Sequence, residues 1–131
     1  MLTLADIRDY IKTFNVGDNF SIGKIDANKD KSIGIYQRQD YGTAQTKLGG
    51  FECTKTLIKQ VSILVHWNKN ARETEVNAMA IYDGLLRASN VTINGQPVSY
   101  IDLRMPEPVD LGTDDKGVYE RTIWADFYYE E

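Results

Sequence analysis

Leu4, Ile7, Ile11 and Phe14 recur at helical spacing, with Thr3 placed to cap the start, Asp6 in the first turn and Gly17 just past the end. The chain therefore opens with a short amphipathic helix. Two short β-like runs follow, Phe20 to Ile25 and Ile33 to Arg38, joined by the polar stretch Asp26 to Ser32, and the simplest connection is a hairpin. From Gln39 to Gly50 the apolar pattern vanishes, which predicts an exposed loop of about a dozen residues, a length uncommon in a compact domain unless it serves a function.

The clearest strand is Leu57 to Trp67, where Val61, Ile63, Val65 and Trp67 share one face and Gln60, Ser62, Leu64 and His66 the other. Asn70 stands three residues before Glu73 and starts a second helix, with Ala78, Met79, Ile81, Leu85 and Leu86 apolar, running to about Ala88. Asn94-Gly95 marks a hairpin between Val91 to Ile93 and Val98 to Met105. The run Met105 to Pro108 then breaks pairing before a loop containing Gly112 and Gly117. In a long last strand, Tyr119, Ile123, Ala125, Phe127 and Tyr129 line one face, and Glu120, Thr122, Trp124, Asp126 and Tyr128 the other. Runs of strands separated by only two helices predict an α+β fold, a mainly antiparallel β-sheet with two helices packed on one face.

At 131 residues and 14.9 kDa, with 42% hydrophobic and 26% charged residues, the chain fits a single domain over residues 1 to 131. One cysteine, Cys53, excludes an internal disulfide framework. The longest apolar run is far short of the roughly 20 residues of a membrane helix, and charges interrupt the N-terminus where a secretory signal needs its apolar stretch. The expectation is an intracellular, unprocessed chain with no membrane partner. The net charge of -4 has the wrong sign for gripping nucleic acid through its phosphates. Residues 1 to 101 carry 12 basic and 10 acidic side chains, residues 102 to 131 carry 3 and 9, balances of +2 and -6. Such unlike blocks are either solvated faces of one domain or the two sides of a head-to-tail subunit contact.

No reaction centre emerges from the residue types. Asp26, Asn28, Asp30 and Ser32 copy the first half of a calcium loop, but Lys31 stands where the sharp turn needs glycine and Gln37 where the terminal glutamate belongs. His66, the single histidine, has no cysteine or second histidine near it, and no nucleophile signature surrounds it or Cys53. Glu120 and Asp126 share a strand face about 20 Å apart, too far for a carboxylate pair. Gly49-Gly50 lacks the lysine and helix of a phosphate loop. No cofactor, no metal site and no enzymatic activity are expected. What remains is a supply of eight Tyr and two Trp, of which Trp124 and Tyr128 point away from the predicted core and suggest a partner surface.

Three stretches read together carry a family resemblance. They are Ile33 to Tyr36 leading to Leu48-Gly49-Gly50-Phe51; Val61 to Trp67 running through Ala71-Arg72-Glu73-Thr74-Glu75 into the second helix; and Pro108 to Gly112 followed by Asp115 to Arg121 and Ile123 to Tyr129. In this order, over nearly the whole chain, they resemble the minor capsid proteins of long-tailed bacteriophages and prophages. That group is similar to the tail-terminator, or head-to-tail joining, proteins. The resemblance implies a structural virion protein, made in the host bacterial cytoplasm, that forms a ring, typically a hexamer, at the head-proximal end of the tail tube. Such a ring stops tube polymerisation and offers the face to which the head attaches. The implied partners are other copies of the chain, the tail-tube protein and a head-closure or connector protein, with DNA only passing through the lumen. Arg38, Gln39, Tyr41 and Lys47 around the loop, and Trp124 and Tyr128 on the sheet, are the interface candidates. A head-closure or adaptor subunit of the connector remains an alternative, as does a small-ligand-binding or enzymatic α+β domain, which a pocket gathering His66 with acidic side chains would favour.

Overall fold

The computed structural model describes residues 1–38 and 56–130. Its elements run α1 (Leu4–Lys12), β1 (Asn19–Ile22), β2 (Ser32–Gln37), β3 (Thr56–His66), α2 (Ala71–Leu86), β4 (Ser89–Ile93), β5 (Gln96–Leu103), β6 (Val109–Thr113) and β7 (Tyr119–Glu130). The seven strands form one sheet in the order β1-β2-β3-β7-β5-β4, with β6 pairing on β7 beside β5. Every pairing except β1 with β2 is antiparallel, so the fold is α+β with a mainly antiparallel sheet, as the pattern predicts.

Both helices begin where their caps place them. Thr3 Oγ1 accepts from the Asp6 N–H at 3.1 Å and the Asp6 carboxylate accepts from the Thr3 N–H at 2.9 Å, closing a reciprocal capping box. Asn70 likewise accepts from the Glu73 N–H at 3.1 Å. Gly17 does not end the first helix: α1 stops at Lys12, and the chain first turns through the left-handed residue Asn15 (φ 60). The second helix buries Thr74, Ala78, Ile81, Tyr82 and Leu85, whereas Leu86, expected in the apolar stripe, is 61% exposed. Position 86 follows Leu85 by one residue and so turns about 100° away from the core.

The strand alternation sorts the sheet into two faces. Val61, Ile63 and Val65 of β3 and Ile123, Ala125 and Phe127 of β7 are buried on the inner face with Ile33 and Ile35 of β2 and Ile101 of β5. Ile7 and Ile11 of α1 and Ala78, Ile81 and Leu85 of α2 fill the same cluster, so both helices cover one face. The segment after α1 reaches the second helix, since a Cβ at Gly84 would come within 2.8 Å of the Phe14 ring. The first helix packs on β1 and β2 near one edge of the sheet and on β4 at the other, which requires the sheet to curl around it.

Two expectations about the strands also fail. The first two strands are not a hairpin but the single parallel pair, with Asn19 opposite Ser32 and Ile22 opposite Ile35. Their starts lie together, because the N–H groups of Asp18 and Asn19 both reach the Lys31 carbonyl, at 2.9 and 3.3 Å. The connection leaves β1 through Gly23 (φ 74) and enters β2 through Lys31 (φ 57), crossing the outer face on the way. Ile25 gives the reason. This apolar residue covers Gly34, with its N–H donating to the Tyr36 hydroxyl at 3.3 Å, a burial that a hairpin turn would forfeit. A Cβ on Gly34 would lie 2.6 Å from Ile25 Cγ2 and 2.9 Å from Tyr36 Cε1. Gly34→Ala is therefore expected to lower stability by about 1–3 kcal/mol in thermal unfolding, with part of the loss recovered when Ile25→Ala is added. The second failure is β6, read from sequence as loop. Val109–Thr113 pairs with β7 through a bulge between Asp110 and Gly112, and Gly112 (φ 82) supplies the backbone that the irregularity needs. Four strands thus follow the second helix, one more than the three read from the sequence.

Candidate interaction surface

The outer face of the sheet is built on β3, β5, β6 and β7. Because side chains alternate along β7, the residues between those that face the helices, Thr122, Trp124, Asp126 and Tyr128, project to the other side of the sheet. Trp124 is 42% exposed. Tyr128 is half-buried against Tyr100 of β5, their ring centroids 5.3 Å apart, and Tyr100 is 52% exposed. Burial pushes the Tyr128 hydroxyl above its ordinary value, with the Asp126 and Asp102 carboxylates adding to the effect.

In the middle of this face lies a charged group sealed from water. The Asp126 carboxylate is fully buried and takes an Arg38 guanidinium nitrogen on Oδ1 and Arg104 Nη1 on Oδ2, the latter at 3.2 Å. Arg38 itself is 8% exposed, donates to the Val61 carbonyl at 3.1 Å and lies 5.2 Å from the centroid of the Trp124 ring. Its Nε–H is buried with no hydrogen-bond partner among the described residues. Arg104 is 37% exposed and reaches Asp102 at 3.9 Å. The arrangement fixes Trp124 from below, a cation beneath the ring and open surface above it.

Beside Trp124 runs β6, which pairs only with β7 among the described residues and leaves its other edge open. Val109 is 43% and Leu111 51% exposed, and Glu107, Asp110 and Asp115 around them are exposed too. An edge strand with free backbone groups and uncovered apolar side chains is a template for pairing with another chain. The acidic excess of the C-terminal part divides here. Asp126 and Glu120 are consumed by internal partners, while Asp110 of β6 and the flanking Glu107 and Asp115 stay on the surface.

Of the residues singled out in the sequence, the structure brings Arg38, Trp124 and Tyr128 onto this one face; Gln39, Tyr41 and Lys47 lie outside the described residues. Tyr100, Arg104, Val109 and Leu111 were not singled out. The alternation of β5 could have given Tyr100, but β6 carries too short and irregular a pattern, and the Arg38–Asp126 pair spans 88 positions of the chain. Oxygens of the calcium-like run are engaged by protein partners: Asp26 Oδ1 accepts from the Asn28 N–H at 3.0 Å, Asn28 Oδ1 accepts from Lys116 Nζ, and Ser32 Oγ donates to the Lys29 carbonyl at 2.7 Å. Among the described residues, no group of three or more His, Cys, Asp or Glu side chains is arranged to hold a metal ion. His66 does gather Glu120 and Asp114, yet its ring is fully buried and lines none of the surface cavities at β1, β4 or α1.

A face of this kind, aromatic and backed by a buried ion pair, is suited to contact with another protein chain. The family model for bacteriophage tail terminator proteins matches residues 1–130, and the chain belongs to that family. It is a structural protein of a phage tail and so a component of the virion. No curated protein matches the chain. No helix among the described residues is long and apolar enough to cross a membrane.

Proposed function

We propose that the protein closes the head-proximal end of a phage tail tube as a ring of identical subunits, six by family resemblance, ending tube polymerisation and presenting the face on which the head docks. The observation that carries this reading is the family match over residues 1–130. The uncovered outer surface around Trp124 and β6 supports it, because a ring needs unlike surfaces that meet head to tail, and an open edge strand supplies one of them. The tail-tube protein and a head-closure or connector protein are the further partners in this reading, and DNA passes through the lumen without being gripped. Arg38 acts by holding Trp124 in place, and Trp124, Tyr128, Val109 and Leu111 make the contacts. Gln39, Tyr41 and Lys47 would contribute from the adjoining segment.

Native mass spectrometry over a concentration series, with and without tail-tube protein, tests the proposal. The expected species is annular in negative stain and about six times the 14.9 kDa chain mass. Leu111→Asp changes an exposed position and should shift folding stability by no more than about 0.5 kcal/mol while removing the assembled species. A ring that survives Leu111→Asp would refute the role of β6 and keep the ring; a chain that stays monomeric even on tube ends would refute the ring itself.

A further inference from the structure

At the end of the sheet away from Arg38, three segments converge on His66. The ring is fully buried, and its two nitrogens face in different directions. Nδ1 lies 2.8 Å from Glu120 Oε2 on β7 and 3.8 Å from Asp114 Oδ2 in the β6–β7 turn, and Nε2 lies 3.2 Å from the carbonyl oxygen of Ala27 in the β1–β2 connection. Carboxylates and carbonyls only accept, so each contact needs a proton on the ring nitrogen, and a neutral imidazole carries one such proton where the imidazolium carries two. With either neutral tautomer, one lone pair of the fully buried ring faces an acceptor, and that mismatch is costly.

We propose that His66 is a pH-sensitive clamp: as the imidazolium it ties the β1–β2 connection to β7 and to the β6–β7 turn, and loss of one proton releases the connection. The charged groups around the ring favour this order of events. Glu120 and Asp114 face it. Hydrogen bonds from the Val118 and Lys116 N–H groups and the His66 charge hold the Asp114 carboxyl below its ordinary value, so Asp114 stays ionised. Of the nearby cations, Lys116 is turned to Asn28 and Lys31 lies over the Trp67 ring, 5.9 Å from its centroid. On β2, Ser32 stands opposite His66 and sends its hydroxyl to the Lys29 carbonyl. When one proton leaves, the remaining one stays on Nδ1, where the carboxylate bond is shorter and charge-assisted, and the Ala27 contact is lost. The clamped form binds the extra proton, so it is favoured as pH falls and gives way as pH rises.

Nitrogen-resolved NMR of the imidazole, with amide exchange of Asn28 and Lys29 on the full chain, reads both halves of the proposal. Across a pH series His66 should pass from two ring N–H protons at the acid end to only the one on Nδ1 at the alkaline end, with protection of the two amides falling about tenfold. Glu120→Gln keeps an acceptor at a partly exposed position but removes its charge, and should move both transitions to lower pH. A single proton on Nε2 at both ends of the series with unchanged protection would overturn the clamp, as would a Glu120→Gln protein that titrates like the parent.

Discussion

Asp126→Ala is expected to lower the free energy of unfolding by about 3–5 kcal/mol, read from urea denaturation at neutral pH. Most of that cost comes from the partner left behind. Arg38 is 8% exposed, its Nε–H has no acceptor among the described residues, and the Val61 carbonyl alone cannot balance a buried cation. Arg104, at 37% exposed, can turn to water, so Arg104→Ala should cost no more than about 1 kcal/mol. Pairing Asp126→Leu with Arg38→Met should recover most of the loss, since the expense lies in an unpaired charge rather than in a missing attraction. If Asp126→Ala left the midpoint unchanged, Arg38 would have to reach solvent without disturbing β2, contrary to its place beneath Trp124.

Phe127→Ala should cost a similar amount, about 3–5 kcal/mol, through the cavity it leaves on the inner face, where Phe127 is fully buried opposite Lys59 and Ile101. Its neighbours across the pleat behave differently. Tyr100→Ala, on the outer face and 52% exposed, should cost no more than about 1 kcal/mol, mostly its ring contact with Tyr128. Equilibrium unfolding of the two variants side by side tests the register of β5 on β7: a one-residue slip of β5 would turn Tyr100 inward and raise its cost towards that of Phe127→Ala.

The inner and outer faces of β3 and β7 were readable because both strands are long and alternate, whereas the register of β5 on β7, with its irregularity between Val98 and Tyr100, was not. The caps at Thr3 and Asn70 and the Asn94-Gly95 turn were equally legible, each being local chemistry. The parallel β1–β2 pair was not. A polar run between two short apolar runs reads as a turn unless one knows that Ile25 will find Gly34, a contact set by the sheet and not by the segment. Strand β6 was hidden because Asp110, Gly112 and the flanking prolines carry loop chemistry, and only pairing with β7 makes the segment a strand. The surface was legible in part. Trp124 and Tyr128 follow from alternation, whereas the ion pair that supports Trp124 joins residues 88 positions apart.

The place of β7 has a consequence for how the chain folds. It lies between β3 and β5, so neither can complete its hydrogen bonding until β7 arrives, and His66 and Glu120, which begin the β3–β7 pairing, stand 54 residues apart. Closing a loop of that length precedes any reward from the central contacts, which slows folding relative to a sheet of consecutive hairpins. During synthesis on the ribosome β3 emerges long before its partner and presents an apolar edge to other nascent chains. A host that makes many copies at once therefore has an interval in which chaperones, rather than the native fold, keep this strand from pairing with its neighbours.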